Sequence, residues 1–224
     1  MLQLVKLEFR KLKLGGIFRT AALITAGVLG FVLLLAADPE GVADYREALA
    51  IIDLLVRAAF IIYASVLLSR LIIEEYRNHT ITILFMYPIS RKKLLLAKLA
   101  IVCVLTFGLI VFSDVLVSAG FYFANEKMHY VSDPLTAEIM QNQAVDLALH
   151  AVSSAGMALI PLFFGMLRKS VPATIVSSIL VVSLVNASNN GSSLGANMVI
   201  HVVLGAIGFL IAYGSIRNVD RADL

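Results

Sequence analysis

The sequence predicts an all-α membrane protein with six transmembrane helices, and three observations support this fold class. Hydrophobic residues make up 60% of the 224 and charged residues only 15%, and the mean hydropathy is +0.92. The apolar residues are gathered in runs of about 20, the length that crosses a hydrocarbon core. Basic residues are gathered between these runs, on one side of the predicted membrane. A soluble domain of this composition would have too little polar surface to cover itself.

The N-terminal segment 1–15 predicts a basic amphipathic helix at the membrane surface, and 16–224 predicts the six-span domain. Apolar residues recur at helical spacing beside a basic face, which is typical of an interfacial helix. The apolar positions are Leu2, Val5, Phe9 and Leu12, and the basic ones are Lys6, Arg10 and Lys13. A simple positively charged anchor is the alternative. Gly15 and Gly16 predict a hinge before the first span, 17–37.

Spans two and three, 48–73 and 94–124, contain the candidate residues of a translocation pathway. Asp53 and Arg57 in span two are four residues apart and therefore share a helical face. Asp114 lies inside span three. Because a charge inside a membrane is costly, such residues are functional candidates. Asp53 and Arg57 could instead form a pair at the interface, and Asp114 could satisfy hydroxyl or backbone groups of a neighbouring helix.

The stretch 74–98 between these spans predicts a short helix, a turn and a second helix. Glu74 and Glu75 suit a helix N-terminus, where the helix dipole favours negative charge. Pro88 ends that helix because proline cannot continue one. Ser90 then caps the helix that leads into span three. We call residues 74–93 the elbow.

The second half of the chain predicts spans four, five and six at 147–167, 173–187 and 194–216. Asp146 is expected to cap span four. Pro161 is expected to kink the same span, because it removes a helical hydrogen bond. Asn189 to Ser193 predict a turn between spans five and six.

The basic residues predict the orientation of the chain in the membrane. Of the 18 lysines and arginines, 15 lie on the side of the N-terminus, Arg46 and Lys127 lie on the other side, and Arg57 lies within a span. The basic side of a membrane protein is normally cytoplasmic. Both termini and the elbow are therefore expected in the cytoplasm.

The elbow resembles that of type-2 ABC exporter permeases, in particular the bacitracin, lantibiotic and sodium exporter branch. The similarity lies in the pattern from Glu74 to Asn78, then 80–84, 88–91 and 94–98, together with the six-span topology. It implies a coupling helix, about 74–87, that docks on a separate ATPase subunit. The coupling residues carried over are Glu74, Glu75, Tyr76, Arg77, Asn78, Thr80, Leu84 and Pro88.

The resemblance also implies the partners, the cargo and the location. Two permease chains, identical or related, would work with two ATPase subunits in the plasma membrane of a prokaryote, in contact with lipid and with no nucleic acid. ATP and Mg²⁺ would bind the ATPase subunits, and this chain would hold no cofactor. The cargo would be an amphipathic compound such as a peptide antibiotic or a lipid-like molecule, with sodium as the alternative.

The residues themselves agree with a non-catalytic subunit. The sequence has no phosphate-binding Gly-x-x-x-x-Gly-Lys-Ser/Thr loop and no His-Glu-x-x-His metal motif. No catalytic residue and no metal site is therefore predicted, and His150 and His201 are interpreted as interfacial or packing residues. An intramembrane enzyme, an ion channel or ion-coupled carrier, and a membrane scaffold remain as alternatives.

Overall fold

The computed structural model describes residues 8–9, 14–38, 42, 44–77, 91–131, 136–168, 170–186, 188–189, 192–193 and 198–218. Its helices are α1 Leu14–Ala36, α2 Tyr45–Leu68, a π-helical turn Ser69–Ile73, α3 Glu74–Arg77, α4 Arg91–Met128, α5 Ala137–Met157, α6 Ile160–Arg168, α7 Val171–Asn186 and α8 Met198–Asn218. Two short strands, β1 Ser188–Asn189 and β2 Ser192–Ser193, pair antiparallel between α7 and α8. The predicted all-helical class is confirmed.

Five of the helical segments in the described part of the chain are long and apolar enough to cross a membrane. They are Leu14–Ala36, Tyr45–Ile73, Lys92–Met128, Ala137–Arg168 and Val199–Arg217. The predicted fifth span corresponds to α7, which is apolar but has only 16 residues. At 1.5 Å per residue it is about 24 Å long, less than the roughly 30 Å of a hydrocarbon core. The count of six spans therefore stays a prediction.

The start of the chain differs from the expected hinge. Helix α1 begins at Leu14, so Gly15 and Gly16 lie in its first turn and the predicted hinge at these glycines is wrong. Glycine is permissive rather than helix-terminating, and the apolar residues that follow carry the helix through it. Glu8 and Phe9 are helical. Residues 1–7 and 10–13 of the predicted amphipathic helix lie outside the described residues, so that helix stays a prediction.

Helix α2 starts earlier than the predicted span because Asp44 caps it. The Glu47 backbone N–H donates to Asp44 Oδ1 at 2.7 Å, which satisfies one of the free donors of the first turn. The helical backbone then continues without a break through the π-helical turn into α3. As predicted, an α-helix, α3, begins at Glu74 with Glu74 and Glu75 in its first turn. It does not have a free N-terminus, however, because Glu74 already has helical angles (φ −62°, ψ −37°) and its N–H donates to the Ser69 carbonyl. No glycine or proline lies between Tyr45 and Arg77, and nothing ends the helix there.

The connection between α4 and α5 is also shorter than expected. Helix α4 ends where His129 adopts a left-handed conformation (φ 54°), with its N–H donating to the Asn125 carbonyl at 2.8 Å. Helix α5 begins at Ala137, so Asp146 lies inside the helix and its predicted capping role is wrong. Residues 137–146 are rich in Ala, Glu, Gln and Met, which favour helix although half of the segment is polar.

The helical geometry of the fourth span breaks just before Pro161, the residue at which the sequence predicts a kink. Helical geometry stops at Ala158 and Leu159 and resumes with α6 at Ile160. The Leu162 N–H donates to the Leu159 carbonyl at 3.1 Å, a tighter bond than the helical pattern. Proline causes this because it has no N–H to donate and its ring crowds the preceding turn.

The chain divides into two compact units, each built from separate segments. One comprises Leu14–Phe60 and Gly108–Ala151, and we call it the polar-cluster unit. Within it, Thr25 of α1 hydrogen-bonds Ser113 of α4 (Oγ1 to Oγ 2.8 Å). The Asn125 amide donates to the Tyr45 hydroxyl at 2.7 Å, and the Tyr45 ring packs edge-on against Phe121. These contacts join α1 and α2 to α4.

The other unit comprises Ile61–Phe107 and Val152–Leu224 with the N-terminal residues, and we call it the elbow unit. Its described core includes Ile61, Met157, Ile160 and Val185. Helix α6 packs against α7, α8 and the π-helical turn. This unit contains the start and the end of the elbow.

Candidate functional site

Lys98 in α4 binds the start of the elbow through its side chain. Its side chain is buried, with 2% of the residue exposed. The ammonium group donates to the Leu71 carbonyl at 2.9 Å and to the carboxylate of Glu75. It also lies 3.9 Å from Oε2 of Glu8, which is buried too. One lysine therefore joins the N-terminal segment, the start of the elbow and the helix that follows the elbow. We call Lys98, Glu75, Glu8 and the Leu71 carbonyl the lysine staple.

The π-helical turn supplies one of these contacts. The Glu74 N–H donates to the Ser69 carbonyl five residues earlier, so this turn is wider than an α-helical one. The Leu71 carbonyl within it accepts the bond from Lys98. A buried ammonium group needs such partners because removing a charge from water is costly. The π-helical turn therefore supplies one of the hydrogen-bond acceptors of the buried Lys98 ammonium group.

The predicted coupling residues differ in their surroundings. Glu74 and Arg77 are exposed, as a contact with a partner subunit requires. Glu75 is only partly exposed and pairs with Lys98, so it holds the elbow to α4 within the chain. The backbone of Tyr76 lies in α3. The remaining predicted residues lie outside the described part of the chain: Asn78, Thr80, Leu84 and Pro88.

The three predicted pathway residues come together in the polar-cluster unit. Arg57 Nε lies 3.1 Å from Asp53 Oδ2, so the predicted helical pair forms. Nδ1 of His150, from α5, lies 2.7 Å from the same oxygen. Asp114, from α4, is close enough to interact electrostatically with all three. We call these four side chains the polar cluster.

The polar cluster is buried and holds unused hydrogen-bonding capacity. Asp53, Arg57 and Asp114 are 5%, 6% and 1% exposed. Among the described residues, Asp53 Oδ1 and Asp114 Oδ2 have no hydrogen-bond partner. The described part of the chain contains no group of three or more His, Cys, Asp or Glu side chains that could hold a metal ion. The cluster is therefore charged, enclosed and incompletely satisfied.

The sequence prediction did not include Lys98, Glu8 or His150 in a site. Lys98 was noted only as the last residue of the stretch 74–98 that resembles the exporter elbow, and His150 only as an interfacial or packing residue. A usable signal existed for His150, because isolated polar residues in different spans tend to pair with one another. No comparable signal exists for Glu8, which lies in a segment rich in charge.

Comparison with known proteins places the chain in a family. The pattern of the family described as "ABC-2 family transporter protein" matches residues 4–184. The chain belongs to the ABC-2 transporter family. A relative from Bacillus subtilis (strain 168), named "Uncharacterized protein YcbO", is 42% identical over 99% of this chain and 100% of its own length. No solved structure matches the chain.

The match to the ABC-2 family covers both of the sites described above. The lysine staple and the polar cluster both lie within the matched residues 4–184. Proteins of this family are membrane components of transporters, and the five long apolar helices fit a multi-pass plasma-membrane protein. A transport component of this kind is typically non-catalytic, which agrees with the absence of nucleotide-binding and metal motifs in the sequence.

Proposed function

We propose that this ABC-2 family member is the permease subunit of an ATP-driven exporter. A separate ATPase subunit binds the elbow, and closure of the ATPase pair moves the elbow as a lever. Two permease chains complete the transporter. The family match supports the transport role, and the absence of a phosphate-binding loop supports a separate ATPase.

The observation that carries this proposal is the lysine staple. A lever transmits motion only if its base is held firmly to the helices that must move. Lys98 holds the helical segment that ends in Arg77 to the helix that begins at Arg91. The exposed Glu74 and Arg77 are then free to contact a partner. Rigid-body motion of helices is a recognised way to couple a binding event to gating.

The proposed cargo is an amphipathic compound, such as a peptide antibiotic or a lipid-like molecule, carried out of the cytoplasm. Many large apolar side chains of α1, α4, α7 and α8 are exposed, among them Leu34, Val104, Leu180 and Leu210. Such surfaces contact lipid or another chain, and a cargo that enters from the membrane would meet them first. Sodium export by the same architecture is the alternative cargo.

The Glu74→Ala substitution tests the docking role of the elbow. We expect the purified chain to retain its ATPase partner about tenfold less tightly, equivalent to about 1.4 kcal/mol, because an interface charge is lost. Substrate-stimulated ATPase activity should fall with it. The measurement is co-purification of the ATPase with the tagged chain from its native membrane, followed by ATPase assays in nanodiscs.

Glu126→Ala provides the matched control, since Glu126 is an exposed glutamate near the opposite end of α4. It should leave both partner retention and ATPase activity unchanged. If the Glu74→Ala variant keeps its ATPase partner and its substrate-stimulated ATPase activity in full, Glu74 is not part of the docking surface. Failure of the unmodified chain to retain any ATPase would contradict the proposed function as a whole.

A further inference from the structure

The polar cluster is the strongest feature that the proposed lever does not use. Its ionisable groups come from three helices: Asp53 and Arg57 from α2, Asp114 from α4 and His150 from α5. Helix α1 contributes a neutral hydroxyl, Thr25, which bonds Ser113 next to Asp114. All of these residues belong to the polar-cluster unit, so they form one site inside one compact body.

The charges of the cluster do not balance. Arg57 carries a permanent positive charge, and its guanidinium pairs with Asp53. Asp114 adds a second carboxylate, so the cluster has a net charge of −1 when both acids are ionised and His150 is neutral. An uncompensated charge in a buried, apolar environment is costly. One bound positive charge would remove the imbalance.

Two carboxylate oxygens without a hydrogen-bond partner are the positions at which the cluster would accept a positive charge. Asp53 directs a single oxygen, Oδ2, at both Arg57 and His150. Its other oxygen has no hydrogen-bond partner among the described residues, and neither has Oδ2 of Asp114. Asp114 is 1% exposed, so water does not satisfy this oxygen from the surface. A polar side chain this deeply buried and without a partner indicates a missing ligand.

We propose that the polar cluster is a proton-binding site that holds one exchangeable proton on Asp114 or His150. With that proton the cluster is neutral, and Asp114 gains a hydrogen-bond donor or His150 becomes a full cation beside Asp53. This site is separate from the lysine staple. The inference concerns this chain alone and does not depend on the ATPase partner.

The donor set favours a proton over a metal ion. Hard cations are bound by about six or more oxygen ligands. Among the described residues, the cluster offers two carboxylate oxygens without a hydrogen-bond partner, Asp53 Oδ1 and Asp114 Oδ2. A proton needs only one acceptor and no room. Arg57 within the cluster also repels a metal cation at short range.

Infrared and nuclear magnetic resonance spectra of the full chain in nanodiscs test the proposal at neutral pH. The chain carries aspartate labelled with ¹³C at the side-chain carboxyl carbon and histidine labelled with ¹⁵N. We expect one protonated carboxyl signal that is lost in Asp114→Asn, or an imidazolium signal that is lost in His150→Gln. The control is Glu126→Gln, which removes an exposed carboxylate from α4, the helix that contains Asp114. This substitution should change neither signal.

The spectra also distinguish a bound proton from a bound alkali cation. The spectra of the unsubstituted chain show whether a protonated aspartate or an imidazolium exists. This result stands even if a variant of the cluster does not fold. Ionised aspartates throughout, together with neutral histidines, would overturn the proposal. Loss of the proton signal when choline chloride is replaced by sodium or potassium chloride would instead assign the site to an alkali cation, and would also overturn it. An unchanged signal in all three salts supports the proton.

Discussion

At the scale of single residues, the position of Lys98 decides how the elbow is attached. The lysine is buried between two carboxylates and a backbone carbonyl. Each partner alone would be a weak reason to bury an ammonium group, because desolvation costs several kcal/mol. Together they compensate the charge. The residue therefore acts as a structural joint between segments that the sequence separates.

Replacing Lys98 with methionine should destabilise the chain by about 3 kcal/mol, because the buried Glu8 carboxylate and the partly buried Glu75 carboxylate each lose a charged partner. Methionine keeps the length of the side chain, so lost packing contributes little. The measurement is equilibrium unfolding of the chain in mixed micelles. Lys93→Met is the matched control, since Lys93 is an exposed residue of the same helix, and it should change stability by no more than about 0.5 kcal/mol. Equal effects of the two substitutions would contradict the joint.

At the scale of elements, close contact between the end of α5 and α8 depends on three glycines. A Cβ added at Gly205 would lie 2.8 Å from the Ser153 carbonyl oxygen, and one added at Gly208 would overlap the Gly156 carbonyl. All four residues belong to the elbow unit. Small residues allow helix backbones in membranes to approach this closely, and packing there replaces the hydrophobic driving force.

Gly208→Ala should therefore destabilise the chain by about 1–3 kcal/mol, the usual range for overpacking. Gly214→Ala, in the same helix, should be neutral or stabilising by up to about 1 kcal/mol, because alanine favours helix more than glycine does. Apart from the neighbouring backbone of its own helix, no atom of the described residues lies within 4 Å of a Cβ added at Gly214. Unfolding of both variants under the same conditions checks the difference. A stable Gly208→Ala variant would show that the two helices are free to move apart.

At the scale of the whole molecule, the number of membrane crossings decides whether the two termini lie on the same side of the membrane. Five helical segments in the described part of the chain are long enough to cross, and α7 is shorter. The apolar runs of the sequence predict six crossings, and the charge asymmetry predicts that both termini lie in the cytoplasm. Helix α7 can complete the sixth if the bilayer thins locally around it. An odd number of crossings would place the termini on opposite sides.

Cysteine labelling distinguishes these topologies. Cys103 is the only cysteine, so a Cys103→Ala background accepts single additions. In intact cells, Glu126→Cys should react with a membrane-impermeant maleimide. Arg217→Cys should react only after the membrane is permeabilised. Labelling of Arg217→Cys from outside would contradict the six-span topology, and labelling of neither position in permeabilised cells would indicate that both are covered.

The spans, the interruption at Pro161 and the pairing of Asp53 with Arg57 were accessible from the sequence because each depends on neighbouring residues. Apolar runs and helical spacing are local properties. Helix starts were predicted less well: Asp146 was expected to cap a helix but lies inside α5, and α3 begins at Glu74 without a free N-terminus. No helix-breaking residue stands near either position. Local polarity alone does not end a helix.

Composition and local pattern were enough to predict that this chain is a helical membrane protein, and they drew attention to the charged stretch 74–98 between two apolar runs. The lysine staple and the polar cluster became visible only once the helices were packed together. Lys98 meets Glu75 across 23 residues, and His150 meets Asp53 across 97. Such pairs form because helix packing brings buried charges together, and a charge inside a membrane must find its partner wherever packing places one.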